Sequence, residues 1–554
     1  MGSPASRSND PFHPSRHTPQ SFWERIRYHF NWALDDIVRY TSLDDRYNQP
    51  VVIVLGWTIL VTLVVLAAAP FEVWSPYPRL SSDLEILRSR VDSAGLAVAV
   101  ARNGQIEFAQ GLGVKNAKGD PVDAETAFYI GSTTKAFTSF LAALQVSNGN
   151  LSWTEPVHHY APHISFSDPF LTERATLLDL LSHRTGLPRY DIFNQVARNT
   201  DELLAVVPHL KLKADFRTDY IYNNIMFALS GTIAAKAAGH DSWKSYADSL
   251  LATLELNNTR TSPSEFDALP NRADPYISNG TYFPETANDE LATAGGAGAI
   301  SSNVLDLSRW AQFLLGGARL ANGSTLVKPK DLEILFTPRN IVPVDAGSPL
   351  TSYALGWQIS TYRGTPVWSH YGQAYGFTTA VCLYPAHNTS VVVLSNQLQR
   401  SVVVVCPMAA DRVLFGEKHL RPSRHIDQAV AAQTAERVAL EKEIEERYSK
   451  RASGTTPTLP LKEYVGKYQS ELGTIEIAKS KTADGKQSLR MVFGNFKAEL
   501  AHWQYDEYIL QGDLKLGELA DGLVVLKFAV DSDKVTAASF LVEPTMDFVA
   551  FERV

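Results

Sequence analysis

Apolar and polar positions change their spacing several times along the chain, and each change predicts an element. Trp23, Ile26, Phe30, Ala33, Leu34, Ile37 and Val38 recur at helical spacing, so residues 21–42 read as an amphipathic helix behind a Ser-, Pro- and His-rich start. Val51 to Ala69 is free of charge between Pro50 and Pro70, close to the ~20 residues a helix needs to cross a bilayer. Leu84–Asp92 reads as a helix. Leu96–Ala101 and Gln105–Gln110 are strand-like runs joined by Arg102-Asn103-Gly104, and Asn-Gly is a strong hairpin signal. Phe137, Phe140, Leu141 and Leu144 share one helix face, which Asn148-Gly149-Asn150 ends. Ile225–Ala235 is a second apolar helix. Thr378–Leu383 and Ser390–Leu394 read as adjacent strands and Val402–Leu414 as a helix. Strands at both ends of the block 80–425, with helices between, predict one sheet assembled from its two termini.

Beyond this block the pattern changes twice. Residues 426–457 begin as a charged, Ala-rich helix with pairs such as Glu446–Lys450 and end in Ala452-Ser453-Gly454-Thr455-Thr456-Pro457, a helical linker. Residues 461–554 alternate in short runs: Thr474–Ile477, Leu489–Phe493, Tyr508–Leu510, Val524–Phe528, Ala538–Val542 and Phe548–Glu552. Asp484-Gly485 and Asp521-Gly522 punctuate them, which predicts a small antiparallel barrel or sandwich.

Composition narrows the function classes. The chain has 554 residues, 45% of them hydrophobic and 20% charged, which excludes a disordered, collagen-like or coiled-coil protein. A net charge of −8 without a basic stripe excludes nucleic acid as a partner. The uncharged run then stands out as a transmembrane helix at 51–70, with residues 1–50 as a partly disordered cytosolic tail. Arg39 and Arg46 precede it and Arg79, Arg88 and Arg90 follow, so charge does not orient it. The short N-terminal segment is the easier one to leave in the cytosol, which places the bulk of the chain in a lumen or outside the cell. Sequons at Asn150, Asn257, Asn279, Asn322 and Asn388 fall on that side as glycosylation candidates, though chance would supply about three. Met1-Gly2-Ser3-Pro4-Ala5-Ser6 fits the loose myristoylation pattern. Cys382 and Cys406 can form at most one bridge, and two ordinary buried thiols are the preferred reading. His158, His159, His163 and His183 lack ligand spacing with acids or cysteines, so neither a metal nor a cofactor is expected.

Three short segments carry chemistry. In Gly131-Ser132-Thr133-Thr134-Lys135, Ser132 and Lys135 sit three apart at the start of a helix and so share a face. Free N–H groups and the helix dipole there favour developing negative charge. A partly desolvated lysine beside the serine can take its proton or depress the pKa of another base. Tyr220-Ile221-Tyr222-Asn223-Asn224 precedes the second apolar helix, and His370-Tyr371-Gly372 precedes a Gly-containing strand.

In this order, Ser132–Lys135, Tyr222–Asn224 and His370–Gly372 resemble the S-x-x-K, Y-x-N and K-T-G or H-x-G motifs of the class C β-lactamase-like branch of the penicillin-recognising serine hydrolases. GLAVAVARNGQIEFAQGLG, LLDLLSHRTGLP and AGGAGAISSNVLDLSRW are further family-like stretches, and the resemblance covers about residues 84–415. It implies an α+β fold of the β-lactamase/transpeptidase type, an antiparallel sheet flanked by helices plus an all-helical lobe. Leu461–Tyr468 and Leu500-Ala501-His502-Trp503 resemble the lipocalin-like β-domain attached to some members, where it restricts access or helps assemble an oligomer.

By that resemblance Ser132 is the acyl-accepting nucleophile, and Lys135 and Tyr222 are alternative acceptors of its proton. Asn224 holds the substrate's acyl-side amide or positions Lys135. The oxyanion site uses the backbone N–H of Ser132 and of Gln373, beside Gly372. His370 stands where β-lactamases carry lysine, which favours esterase or peptidase relatives over a true β-lactamase. His183 is expected as a structural, hydrogen-bonding histidine. The expected protein is a membrane-anchored serine hydrolase acting on a small-molecule or peptide acyl substrate. An acyltransferase tailoring a small molecule and a non-catalytic assembly protein are the alternatives, and a second copy of the chain is a candidate partner. Specificity is expected in the loops Asn271–Ala294 and Asn340–Leu350.

Overall fold

The structure is a computed structural model and describes residues 77–276, 290–344, 350–398, 400–416, 423–482, 485–511 and 524–554. The amphipathic helix at 21–42, the Gly2 motif and the span at 51–70 lie outside these residues. Among the described residues no helix is long and apolar enough to cross a membrane. The expected placement as a single-pass membrane protein with a lumenal or extracellular catalytic domain is corrected on that finding and is not retained.

Helix α1 (Pro78–Arg90) leads into β1 (Gly95–Arg102) and β2 (Gln105–Gly113). Their turn works because Asn103 (φ 51°) and Gly104 (φ 80°) both adopt the left-handed region that a tight hairpin requires. Helix α2 (Thr134–Asn148) and helix α3 (Asn224–Ala237) centre the helical lobe. A two-residue ribbon, β3 (Phe128–Tyr129) with β4 (Ser301–Ser302), joins the lobe to the sheet side. The chain then adds β5 (Asn340–Val342), β6 (Thr351–Tyr353), β7 (Gln358–Tyr362), β8 (Thr365–Ala374), β9 (Phe377–Tyr384) and β10 (Thr389–Ser395). The sheet order is β2-β1-β10-β9-β8-β7-β6-β5, antiparallel throughout, and β1 meets β10 with Val98 opposite Val393. The two ends of the block therefore close one sheet, as the patterning predicts.

Strands β1, β9 and β10 are apolar on both faces because both faces are covered. Leu80, Leu84 and Leu87 of α1 pack on one side, with Val405 and Ala409 of the helix Val405–Val413. Phe137, Phe140 and Leu141 of α2 belong to the core on the other. The predicted Val402–Leu414 helix is split, with a 3-10 turn over Arg400–Val404 before the α-helix. That helix brings Cys406 beside Cys382 on β9, and the two are bonded with Cα atoms 6.3 Å apart. The expectation of two free thiols is thereby corrected. Strand alternation turns Ala380, Cys382 and Tyr384 toward the helix, which sequence spacing alone does not disclose.

Helix α4 (Ser423–Ser449) buries Ile426 and Ala429 and is otherwise mostly exposed, as a linker helix should be. It leads to a closed antiparallel barrel of eight strands: β11 (Gly466–Ser470), β12 (Gly473–Lys481), β13 (Gln487–Phe493), β14 (Phe496–Gln504), β15 (Glu507–Gln511), β16 (Val525–Asp531), β17 (Lys534–Phe540) and β18 (Val549–Arg553). Patterning finds six of them. It misses β11 and β14, where Lys467, Lys497 and Glu499 alternate with the buried Tyr468, Ala498 and Leu500 and mask the apolar run. Tyr464, Tyr468, Tyr508 and Phe528 meet edge to face inside, as do Phe493 and Phe551.

The cystine closes a separation of 24 residues. Loop-closure entropy makes it worth about 3 kcal/mol. Cys406→Ser is expected to lower the urea midpoint by a corresponding amount. Equal midpoints with and without reductant would contradict the bond's contribution.

Candidate active site

Two glycines create the site's geometry. The chain leaves β3 through Ile130 into a 3-10 turn, Gly131–Thr133, which runs directly into α2. Gly131 is left-handed (φ 49°), and a Cβ on it would fall 2.6 Å from the Gln373 carbonyl oxygen and 2.8 Å from the Gln373 nitrogen. From the other side, a Cβ on Gly372 would fall 2.0 Å from the Ile130 carbonyl oxygen and 3.1 Å from the Ser132 nitrogen. Only backbone fits between β8 and the turn, so the Ser132 and Gln373 amides share one small region.

Ser132 Oγ accepts hydrogen bonds from the Tyr222 hydroxyl at 2.7 Å and from Lys135 Nζ at 3.1 Å. Lys135 is fully buried and also donates to Asn224 Oδ1 at 2.7 Å and to the Ala297 carbonyl at 2.9 Å. All three ammonium hydrogens thus have acceptors. Burial, and then the positive charge of Arg189, hold the Lys135 pKa well below the ordinary lysine value, against an opposing pull from Asp191. Lys135 Nζ lies 4.7 Å from the centre of the Tyr222 ring. Asn224 gives its Nδ2 hydrogen to Asp191 Oδ1 at 2.8 Å, so both ends of its amide are committed. This geometry fits positioning of Lys135 better than direct contact with a substrate amide.

Tyr222 is held by its neighbours. The His183 ring packs on it with centroids 4.2 Å apart, and the Arg189 guanidinium lies 5.0 Å from its centre. His183 Nδ1 accepts from the Asn223 N–H at 3.1 Å, so the ring's hydrogen sits on Nε2. Burial and the nearby Lys135 charge push the His183 pKa well down, leaving a neutral, wedge-like ring.

His370 plays a similar part. Its Nδ1 donates to the Tyr371 carbonyl at 2.7 Å, and its Nε2 takes the Tyr353 hydroxyl at 2.8 Å. Burial, aided by Lys135, pushes its pKa down to about 3. Expected among the substrate-binding groups, it is instead buried with both nitrogens engaged, because β8 alternation turns it inward. Gln373, three residues on, is exposed.

The patterning overlooks Arg189, Asp191 and Tyr353. Arg189-Tyr190-Asp191 directly follows the LLSHRTGLP stretch, so adjacency is the available signal; Tyr353 has none, since it comes from β6. Of the sequons, Asn150, Asn257 and Asn322 are exposed and Asn388 is half-buried, while Asn279 lies outside the described residues. Exposure is common to much of the surface and assigns no glycan. Parts of the loops 271–294 and 340–350 likewise fall outside. Among the described residues no group of acids, histidines and cysteines is arranged to hold a metal.

Residues 85–414 match the family model described as Beta-lactamase, and residues 450–553 match a domain of unknown function (DUF3471). Curated relatives include the unguisins hydrolase ungD' of Aspergillus campestris, 27% identical over 56% of this chain and 60% of its own length. The unguisins hydrolase ungD of Aspergillus violaceofuscus is 26% identical over 55% and 59%. This chain therefore spans about three fifths of the length of those relatives. A beta-lactamase of Pseudomonas fluorescens is 32% identical over 34% of this chain and 51% of its own. Among solved structures, an octameric penicillin-binding protein homologue from Pyrococcus abyssi superposes with a TM-score of 0.54 at 19% identity, covering 86% of this chain and 99% of that one. A class C beta-lactamase gives 0.51 at 22% identity, covering 59% and 93%. These likenesses show the fold.

The buried His370 ring is expected to stay neutral through the physiological range. Its ring nitrogen resonances should not titrate between about pH 5 and 8, where an ordinary histidine does. A midpoint near 6.5 would contradict the assignment.

Proposed function

The chain belongs to the beta-lactamase family of serine hydrolases, and on that premise we propose that it cleaves an ester or amide through an acyl-Ser132 intermediate. The observation that carries this reading is the convergence of the Tyr222 hydroxyl and Lys135 Nζ on Ser132 Oγ, at 2.7 and 3.1 Å. In the reactive state the 2.7 Å contact runs in reverse. Tyr222 is a phenolate, the serine hydroxyl donates to it, and Lys135 stabilises the phenolate charge.

Lys135 Nζ is the alternative proton acceptor. Burial favours a neutral amine there, whereas three hydrogen-bond acceptors favour the ammonium. We assign the proton transfer to Tyr222, because an ammonium with every hydrogen engaged has no lone pair to offer. As Ser132 Oγ attacks the acyl carbon, the proton passes to Tyr222 and the carbonyl oxygen gains negative charge. The Ser132 and Gln373 amides, brought together by Gly131 and Gly372, are the donors for that charge. Collapse expels the alcohol or amine, which leaves with the proton, and water then attacks the acyl–serine with Tyr222 as base.

An ester or unstrained amide fits this site better than a β-lactam. The family's strand lysine is replaced by His370, which is neutral and engaged on both nitrogens, so it contributes no cation. Two Aspergillus relatives are named unguisins hydrolases, so unguisins belong in a substrate panel beside short-chain esters, D-aminoacyl amides and nitrocefin.

A fluorophosphonate probe is expected to label the wild type and not Ser132→Ala, with ester hydrolysis falling by about a thousandfold or more. Labelling that persists in Ser132→Ala would sink the assignment. Arg189→Ala tests the electrostatics. Removing a positive charge that lowers the Lys135 pKa lets that pKa rise, so Lys135 stays cationic to higher pH and the limb of the kcat/KM profile that reports it moves upward. A limb that stays in place would show that Arg189 does not act on Lys135.

A further inference from the structure

Asp191 is the hidden hinge of the site. It accepts from Asn224, whose other end holds Lys135, and it pairs with Arg189, which lies over the Tyr222 ring. The segment carrying these two charges is not self-supporting. Tyr190 between them adopts a left-handed backbone (φ 50°) that tyrosine rarely takes. Among the described residues its N–H finds no acceptor in the catalytic domain. It donates at 2.7 Å to Glu543 Oε2, on the loop between β17 and β18 of the barrel. Glu543 is itself buried, and its other oxygen accepts from the Thr545 N–H at 3.1 Å and the Thr545 hydroxyl at 2.7 Å.

A second barrel loop grips the same segment. The turn between β13 and β14 donates the Asn495 N–H to the Val196 carbonyl at 2.9 Å. Gly494 beside it (φ 57°) lies so close that a Cβ would fall 2.2 Å from the same oxygen. Phe493 meets Phe193 edge to face at 6.0 Å. Residues 190–196 are thus clamped at both ends by the barrel.

We propose that Glu543 is a positioning residue of the acyl-transfer site: from the barrel it fixes Tyr190, and through Arg189 and Asp191 it holds Asn224 and Lys135 in register with Ser132. The barrel is then part of the catalytic apparatus in the same chain. This inference rests on the acyl-Ser132 reading above.

The test uses the full chain and p-nitrophenyl acetate as probe. Glu543→Ala leaves the Tyr190 N–H buried without an acceptor, and Gly494→Ala pushes the second loop off Val196 while leaving Glu543 intact. Each is expected to lower kcat by roughly ten- to hundredfold through misplacement of the reacting groups, with little change in KM. The charged and titratable groups facing Lys135 are Arg189, Asp191, Tyr222 and the neutral His183 and His370. Arg189 lowers the Lys135 pKa and Asp191 raises it, so releasing both changes the charge around Lys135 and moves the corresponding limb of the pH profile. Glu543→Gln, which keeps a carbonyl acceptor for the Tyr190 N–H, is expected to recover most of the rate. Val535→Ala, a cavity at the β16–β17 hairpin, the opposite end of β17 from Glu543, is expected to lower the melting temperature and leave the pH profile in place.

Wild-type kcat and an unmoved limb in Glu543→Ala would overturn the proposal, as would the same limb shift in Val535→Ala. If Glu543→Ala does not accumulate as folded protein, Gly494→Ala decides by the same two readouts. Fluorophosphonate labelling separates the two levels. A wild-type enzyme labelled at Ser132 with an indifferent Glu543→Ala removes only the positioning role, whereas labelling at another residue removes the acyl-Ser132 reading itself.

Discussion

Everything in the site follows from burying one amine. Lys135 is fully inaccessible, and taking an ammonium out of water costs several kcal/mol unless its hydrogens are met. Three different parts of the chain meet them: the turn that carries Ser132, the helix that starts at Asn224, and the carbonyl of Ala297. Those acceptors cannot be moved independently without leaving a buried donor unsatisfied. The need to satisfy Lys135 therefore packs α2, α3 and the segment 295–298 into one cluster, and Ser132 sits where they converge. The same burial that penalises the charge holds the Lys135 pKa well below the ordinary lysine value.

The second constraint is steric. Gly131 and Gly372 face each other across the turn and β8, and neither could carry a methyl group without meeting the other strand's backbone. This contact ties the edge-ward half of the sheet to the start of α2. It also explains why His370 is buried. Two residues before Gly372 on the same strand face, it must point into the lobe, where burial and Lys135 leave it neutral and the Tyr353 hydroxyl and Tyr371 carbonyl satisfy it. Tyr222 is immobilised by another neutral ring, His183, whose tautomer is set by the Asn223 N–H. Two histidines near Ser132 thus act as shaped, uncharged supports.

Local chemistry made much of this legible in the sequence. The Ser132–Lys135 and Tyr222–Asn224 spacings are helix-start patterns, and the hydrophobic periods on either side predict the elements that carry them. The closing of β1 against β10 was readable because both are continuous apolar runs. What was not legible depends on side chains meeting from distant positions. Cys382 and Cys406 find each other only once the helix Val405–Val413 is laid on β9. His370 looks like a substrate contact until strand alternation turns it inward. Strands β11 and β14 are hidden because Lys467, Lys497 and Glu499 alternate with their buried Tyr468, Ala498 and Leu500. Glu543 offers no local signal, since its partner Tyr190 lies 353 residues away in the chain.

That last separation bears on what the barrel does. A closed eight-stranded barrel can enclose a ligand, but this interior is occupied by Tyr464, Tyr468, Tyr508 and Phe528 at one place and by Phe493, Phe540 and Phe551 at another, all in ring-to-ring contact. Such an interior is a core. Its value is stiffness, and stiffness matters most where the barrel touches the left-handed Tyr190. A strained residue persists only when its surroundings over-determine it. Within the catalytic domain the Tyr190 hydroxyl is anchored at Lys211, but among the described residues its backbone N–H is met only by Glu543 of the barrel. The carboxylate of a rigid neighbouring body completes the set, which makes the strain at Tyr190 and the filled barrel two sides of one arrangement.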